Sequence, residues 1–327
     1  MALLQCDACG HLREVANQYQ DKKVKCPSCQ QVTSVHNTVA LVQQLLQQVN
    51  QLTTELLELK STLPPPAHHS KVHQGYAFAN MPSSPALRHF DGVIQWFAAR
   101  NIKVNYDQKD VDIGGFFDEI AVQLGDNYQI LKEISNKIKQ LQAKGYSKAN
   151  FNLSAHSQRD IQVIKAFCKA LYDHAFVAKY FNEKADKRVR LVLQTEPKIV
   201  NFFNGEWLEW FAFMKIASWL VDKQLKFSCL RHFHIHLPNE DHYELDLFFL
   251  INDEIPLWIE CKAGEFRASI NKYKELCKRL KFDKKNFLLL VSDVADDKRS
   301  GLSSTFDINI VNENNFLSAM SGLIEYQ

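Results

Sequence analysis

Tyr243-Glu-Leu-Asp246-Leu-Phe-Phe-Leu-Ile251, a short polar loop, and Ile255-Pro-Leu-Trp-Ile-Glu260-Cys-Lys262 read as two neighbouring antiparallel strands. Side chains alternate along a strand, so Glu260 and Lys262 share one face while Cys261 turns to the other, toward the core. A register that sets Asp246 beside them brings two carboxylates and one ammonium together. Asp246 and Glu260 then offer hard oxygen donors for Mg²⁺ or Mn²⁺, and the backbone carbonyl of Cys261 offers another. Next to such donors Lys262 can orient or help deprotonate a water and stabilise developing negative charge.

Outward from this pair the order of elements predicts an α/β domain. A helix is expected from about Glu206 to Val221. Strands are expected near Phe227 to His236, Glu244 to Ile251 and Leu257 to Lys262, then a second helix and a strand at Asn286 to Ser292. That αβββαβ order makes a mixed sheet flanked by helices. At its entry stands Phe202-Phe-Asn-Gly205-Glu-Trp207-Leu-Glu209. Glu206 and Glu209 compete for approach to the cleft, since a modest helix rotation exchanges them. Trp207 and Trp210 are expected to pack the helix on the sheet. Trp258 can either stack substrate or support its strand.

The D…ExK arrangement resembles the PD-(D/E)xK nuclease superfamily, with Asp246 matching the first metal-binding acid and Glu260-Cys261-Lys262 the ExK segment. The likeness covers mainly residues 198 to 327. Its G-x-W-L-E segment is similar to the entry segment of the nuclease domains of ligand-activated CRISPR ancillary nucleases, where Glu209 matches the first-helix acid. The resemblance implies a restriction-endonuclease-like sheet and the catalytic set Glu209, Asp246, Glu260 and Lys262. It also implies metal-dependent hydrolysis of nucleic acid, DNA favoured over RNA, and a place in antiviral defence. The ligand-sensing Rossmann-like domain of those nucleases is not found upstream, so their regulation does not carry over.

At the other end Cys6-Asp-Ala-Cys9 and Cys26-Pro-Ser-Cys29 form paired CxxC turns whose four thiolates can close a tetrahedral shell around structural Zn²⁺. This resembles a zinc ribbon, assigned to residues 1–34, and it offers a surface for a protein partner. Asp21-Lys22-Lys23-Val24-Lys25 leads into the second turn and serves equally as a solvated approach or a phosphate contact. Val42, Leu45, Val49, Leu52, Leu56 and Leu59 then alternate spacings of three and four, the period of a coiled coil over 35–60. A homodimer through this stripe is expected first, packing against the chain's own body second. Residues 61–86, with Pro64-Pro65-Pro66, read as a linker in which His68, His69 and His73 are solvated.

Residues 87–197 are assigned to a middle domain of mixed elements, with periodic apolar helices at Leu87 to Arg100, Gly125 to Ala143 and Ser157 to Phe181. Lys184, Lys187, Arg188 and Arg190 lie near a strand beginning at Val189, facing nucleic acid or a solvated edge. Gly114-Gly115 lacks the context of a phosphate loop. In the nuclease-like segment, His232, His234 and His236 recur at every second position, the spacing of one strand face. They are read as a polar surface before a second metal site. Arg267, Lys272, Lys274, Lys278, Arg279, Lys281, Lys284 and Lys285 cluster after ExK. They draw phosphate or occupy the solvent face of a helix whose apolar stripe is Ile270, Tyr273, Cys277 and Leu280.

The whole chain neither demands nor excludes these readings. Its 327 residues suggest roughly two large units, and 39 Lys plus Arg against 37 Asp plus Glu leave any nucleic-acid surface to be local. No apolar run reaches signal or membrane-spanning length, so a cytoplasmic location without a membrane partner is expected. The non-enzymatic alternative is a nuclease-shaped module that binds nucleic acid for assembly, or a protein scaffold.

Overall fold

The computed structural model describes residues 2–20, 22–37, 47–48, 51, 90–106, 116–183, 186–239 and 241–325. The expected coiled-coil stripe, the linker, Gly114-Gly115 and Lys184 lie outside these residues. Contacts divide the chain into two compact units, Met1–Gly75 and Tyr76–Gln327.

In the first unit four short strands, β1 (Ala2–Gln5), β2 (Leu12–Val15), β3 (Lys23–Lys25) and β4 (Val32–Asn37), form an antiparallel sheet in the order β2-β1-β4-β3. Among the described residues its apolar core is Ala2, Leu4 and Val35, flanked by Val15 and Val24. So small a core leaves most of the ordering to the cysteine turns. Thr33 ties two strands by donating its hydroxyl to the Gln5 carbonyl.

The described residues of the second unit hold two sheets. The larger runs β13-β12-β11-β10-β9-β5. It is built from β5 (Lys103–Asn105), β9 (Phe227–His236), β10 (His242–Ile251), β11 (Ile255–Lys262), β12 (Phe287–Val291) and β13 (Asn309–Val311). The neighbours from β5 to β11 are antiparallel, and β11, β12 and β13 are mutually parallel. Leu247–Ile251 and Phe287–Val291 are buried throughout, as continuous apolar runs must be when both faces of a sheet are covered. One face carries helix α1 (Asp91–Ala98) and helix α7 (Ile270–Arg279), which bury Phe97, Tyr273 and Leu276 with Trp258 and Phe287.

The other face is covered by helix α6 (Trp207–Asp222), behind which stand helix α2 (Phe116–Asp126), helix α3 (Tyr128–Ala143) and helix α4 (Gln158–Asp173). The smaller sheet, antiparallel in the order β6-β8-β7, joins the same core from β6 (Lys148–Asn152), β7 (Val177–Glu183) and β8 (Arg188–Leu193). A Rossmann-like domain needs a parallel sheet, and every pairing here is antiparallel. The short helix α5 (Pro197–Asn201) leads toward α6, and helices α8 (Asp296–Phe306) and α9 (Phe316–Glu325) follow among the described residues.

Three expectations for residues 87–197 change in the structure. Asp91–Ala98 and Lys103–Asn105 serve the large sheet, because Phe97 and Trp96 pack on Phe248 and β5 pairs with the end of β9. The span Gly125 to Ala143 divides at Asn127, whose side chain donates to the Gln123 carbonyl and closes α2. The expected helix Ser157 to Phe181 stops at Asp173. Its buried stripe runs Ile161, Ile164, Phe167, Cys168 and Leu171, then Ala175 takes a left-handed φ of 59° and the chain turns into β7. Ser157 begins that helix, its hydroxyl accepting from the Asp160 N–H at 3.1 Å.

Candidate active site

The ladder between β10 and β11 is regular from Ile251 opposite Ile255 to Leu247 opposite Ile259. Beyond that pair two side chains take over as acceptors. The Asp246 N–H donates to Glu260 Oε1 at 3.2 Å, and the Cys261 N–H donates to Asp246 Oδ2 at 2.7 Å. On the neighbouring strand His232 has a left-handed φ of 50°. Leu245 and Phe248 enter the same core although three residues apart, and so do Leu230 and Phe233. Perfect alternation forbids this, so both strands change phase at Asp246 and His232. The irregularity frees the Asp246 N–H from the backbone ladder for Glu260.

Glu260 is fully enclosed. Trp258, two residues earlier on the same face, donates its indole N–H to Glu260 Oε1 at 2.9 Å and is itself wholly buried against Phe287. Trp258 therefore supports the strand and cannot stack on substrate. The Lys262 ammonium lies 3.6 Å from Asp246 Oδ2 and 4.0 Å from Glu260 Oε2, so these three residues meet as the register requires. Burial pushes the Glu260 carboxyl up to about 8, aided by the Asp246 charge and opposed by Lys262 and the Trp258 donor. Asp246 is also raised, by burial first, against the pull of Lys262 and the Cys261 N–H. Burial works against the Lys262 ammonium, yet Asp246, Tyr273 and Glu260 hold its pKa above the usual lysine value.

Glu209 reaches the same neighbourhood from the first turn of α6. Gly205, immediately before, adopts φ 153° and ψ −21° within a π-turn over Phe202–Glu206. Those angles suit glycine alone, and they set the kink from which α6 starts. Trp207 stacks on Tyr128 with ring centroids 5.0 Å apart, while Trp210 lies under the Arg231 guanidinium at 3.6 Å, so both tryptophans pack the helix. Glu209 is buried, 3.7 Å from His232 Nδ1 and 3.8 Å from Arg231, and its Oε2 accepts no hydrogen bond among the described residues. Burial pushes its carboxyl up to about 7, against His232, while the Asp246 charge adds to the rise. His232 is raised in turn to about 9 by Glu209. Glu206 instead borders a cleft of about 220 Å³ with Lys198, Trp210, Arg231 and His232.

The donor chemistry fits a divalent cation. Asp246, Glu260 and the Cys261 carbonyl would hold it, and Glu209 Oε2 is a buried carboxylate oxygen still lacking a donor. Among the described residues, only the four ribbon cysteines bring three or more His, Cys, Asp or Glu ligand atoms within 4.8 Å of one another. The histidine run makes no such group: His232 turns to Glu209 and Glu244, and His236 meets the His242 ring at 4.3 Å. The basic stretch after ExK is already partly neutralised. Arg267 pairs with Glu265, Arg279 with Asp241, Lys284 with Asp307 and Lys285 with Asp283, while Ile270, Tyr273, Cys277 and Leu280 are buried as their stripe predicts.

The sulfur site in the first unit is of another kind. The Sγ atoms of Cys6 and Cys29 are 3.5 Å apart and those of Cys9 and Cys26 are 3.7 Å apart, and none is in a disulfide. A tetrahedral ZnS₄ centre with ordinary bond lengths has edges of about 3.8 Å, so the four thiols fit zinc with no position left for water. Both turns share one hydrogen-bond plan. The Cys6 N–H donates to the His11 carbonyl and the Gly10 N–H to that of Cys6. The Cys26 N–H likewise donates to Gln31 and the Gln30 N–H to Cys26. Gly10 and Gln30 close the turns with left-handed φ of 71° and 63°.

No helix among the described residues is long and apolar enough to cross a membrane. No protein-family model matches the chain, and no curated protein matches it. Two solved structures are similar to it. Protein VC1899 from Vibrio cholerae has 13% sequence identity and a TM-score of 0.49 over 72% of this chain. Can2 from Sulfobacillus thermosulfidooxidans, solved in complex with cyclic tetra-adenylate, has 15% identity and a TM-score of 0.47 over 71% of it. The chain spans 60% of the length of each.

Proposed function

We propose that Glu209, Asp246, Glu260 and Lys262 form the active centre of a divalent-metal-dependent nuclease of the PD-(D/E)xK type. The reading rests on the meeting of Asp246, Glu260 and Lys262 where the β10–β11 ladder gives way to side-chain hydrogen bonds. Bound Mg²⁺ or Mn²⁺ supplies Lewis-acid polarisation of a phosphate oxygen and of water. Asp246 and Glu260 hold carboxylate oxygens toward that position, with the Cys261 carbonyl as a third donor. Burial disfavours the charged form of both acids, most strongly that of Glu260, so a cation bound beside them would offset that cost. The Lys262 ammonium is fixed between them, and its raised pKa keeps it protonated at neutral pH. It is therefore better suited to orienting the attacking water and stabilising phosphorane charge than to accepting a proton. We assign that proton to Glu209, whose carboxyl burial pushes up to about 7 while His232 and Arg231 favour its charged form.

DNA is the favoured substrate over RNA, and antiviral defence is the role the sequence resemblance implies. A homodimer through residues 35–60 and a protein partner at the zinc ribbon belong to the same proposal. The test is a panel of DNA and RNA substrates with Mg²⁺ and Mn²⁺, comparing the natural chain with Lys262→Ala at matched folding. Metal-dependent cleavage lost in the variant supports the assignment. Equal cleavage by both removes Lys262 from the mechanism.

A further inference from the structure

Among the described residues, the three-stranded sheet β6-β8-β7 is covered on one face. Ala149, Phe151, Val189, Leu191 and Leu193 point into the core. The register lines up the opposite face in three cross-strand rows: Lys148, Val192 and Lys179; Asn150, Arg190 and Phe181; Asn152, Arg188 and Glu183. Four cations thus stand on this face against one carboxylate, and that carboxylate is held by Arg190 at 2.6 Å. In the central row Phe181 is 43% exposed, and the Arg190 guanidinium lies 5.3 Å from its ring centroid. The groove along these rows has a volume of about 590 Å³, within the range that takes a small ligand or a nucleotide. Lys137 from α3 borders it, donating to the Asn150 carbonyl at 2.6 Å.

Phe181 stands at the β7 end of the central row with its ring exposed and open to stacking. Cations on both outer rows would suit any acidic partner. The Phe181–Arg190 plane, with Asn150 beside it, more specifically suits a flat heteroaromatic base carrying a phosphate on either side. We propose that this sheet face is a non-catalytic binding site for single-stranded nucleic acid, with Phe181 as stacking platform, Arg190 as its guanidinium partner, and Lys148, Lys179 and Arg188 tracking the backbone. It rests on the nucleic-acid reading of the acid cleft but uses none of that cleft's residues.

Anisotropy of fluorescein-labelled single strands of about 12 nucleotides, measured in EDTA with the full chain, tests the face without cleavage. The natural protein and Lys262→Ala are expected to bind single-stranded DNA and RNA more tightly than duplex. Phe181→Ala is expected to weaken binding about tenfold. Arg188→Glu is expected to weaken it and to lower the slope of log affinity against log salt by about one. Both positions are exposed, and circular dichroism checks that the variants fold. Unchanged binding in both variants overturns the proposal, as does displacement of the oligonucleotide by poly-glutamate at equal charge concentration, which would assign the face to an acidic protein. Duplex cleavage in Mg²⁺, measured in parallel, separates the two readings. If Lys262→Ala loses cleavage while the sheet variants bind normally, only the sheet proposal fails. If the sheet variants lose binding while Lys262→Ala still cleaves, only the catalytic assignment fails.

Discussion

The ribbon and the acid cleft gather their ligands by opposite means. In the ribbon, two four-residue turns with the same backbone hydrogen bonds each supply two thiols, and Ala2, Leu4 and Val35 form the core among the described residues. Local geometry does the work there, and a filled thiolate shell completes the fold. In the cleft, Glu209, Asp246 and Glu260 come from a helix and two strands, and burial raises the pKa of all three. Here a large core is spent on holding groups in an environment that disfavours their charge. The ribbon thiols converge on one another, whereas in the cleft Glu209 Oε2 accepts no hydrogen bond among the described residues and is faced by His232 at 3.7 Å and Arg231 at 3.8 Å.

The sharpest way to break this contrast is at the acids. Asp246→Asn should lower metal-dependent cleavage by about 10³-fold while leaving zinc content unchanged, read by product formation and elemental analysis on one sample. Cleavage near the natural rate would mean that the cleft is not the reactive site. Next in size, Cys26→Ser should take bound zinc from one equivalent to none and unfold the ribbon, with duplex cleavage retained. Zinc that survives the substitution would refute the four-thiolate centre.

A pH series separates the sites further. Glu260 is raised from its ordinary 4.5 to about 8, so the folded metal-free protein holds a proton that the unfolded chain releases above pH 4.5. Metal-free stability should therefore fall as pH rises between about 4.5 and 8, Glu209 adding to the slope up to about 7, and be unaffected by these groups below that window. Glu260→Gln should flatten the slope and raise the metal-free Tm at pH 8 by roughly 5 °C. A slope unchanged in the variant would place the titrating group elsewhere. The smallest effect belongs to the ribbon: Gln30→Gly relieves a left-handed residue and should stabilise the zinc-bound unit by about 0.5–1 kcal/mol, seen as slower zinc loss to a chelator.

Much of the cleft was legible because its signals are short. The alternation through Glu260, Cys261 and Lys262 holds, and the glycine of the G-x-W-L-E segment has a backbone reason in Gly205. The role of Trp258 was also within reach, since two residues' spacing on a strand already places it beside Glu260. His232 and Arg231 were not, because their approach to Glu209 depends on a phase change that propensity does not register. The middle region is the least legible. Helical periodicity continues in the sequence past Asp173, but Val177 and its successors pair with β8, and tertiary pairing overrides the local pattern. The same applies to β5, three residues whose strand identity comes only from the edge of β9.

By itself the sequence determined what depends on neighbours along the chain: the paired thiol turns, the acid and lysine on one strand, and the apolar runs that must be buried on both faces. Tertiary structure alone decided how the ladder ends at Leu247 and Ile259, which side chains face Glu209, and which face of the small sheet the described residues cover. The division is physical. Turn geometry and side-chain alternation are set within a few bonds, whereas register and desolvation are properties of segments that meet only when the chain has folded.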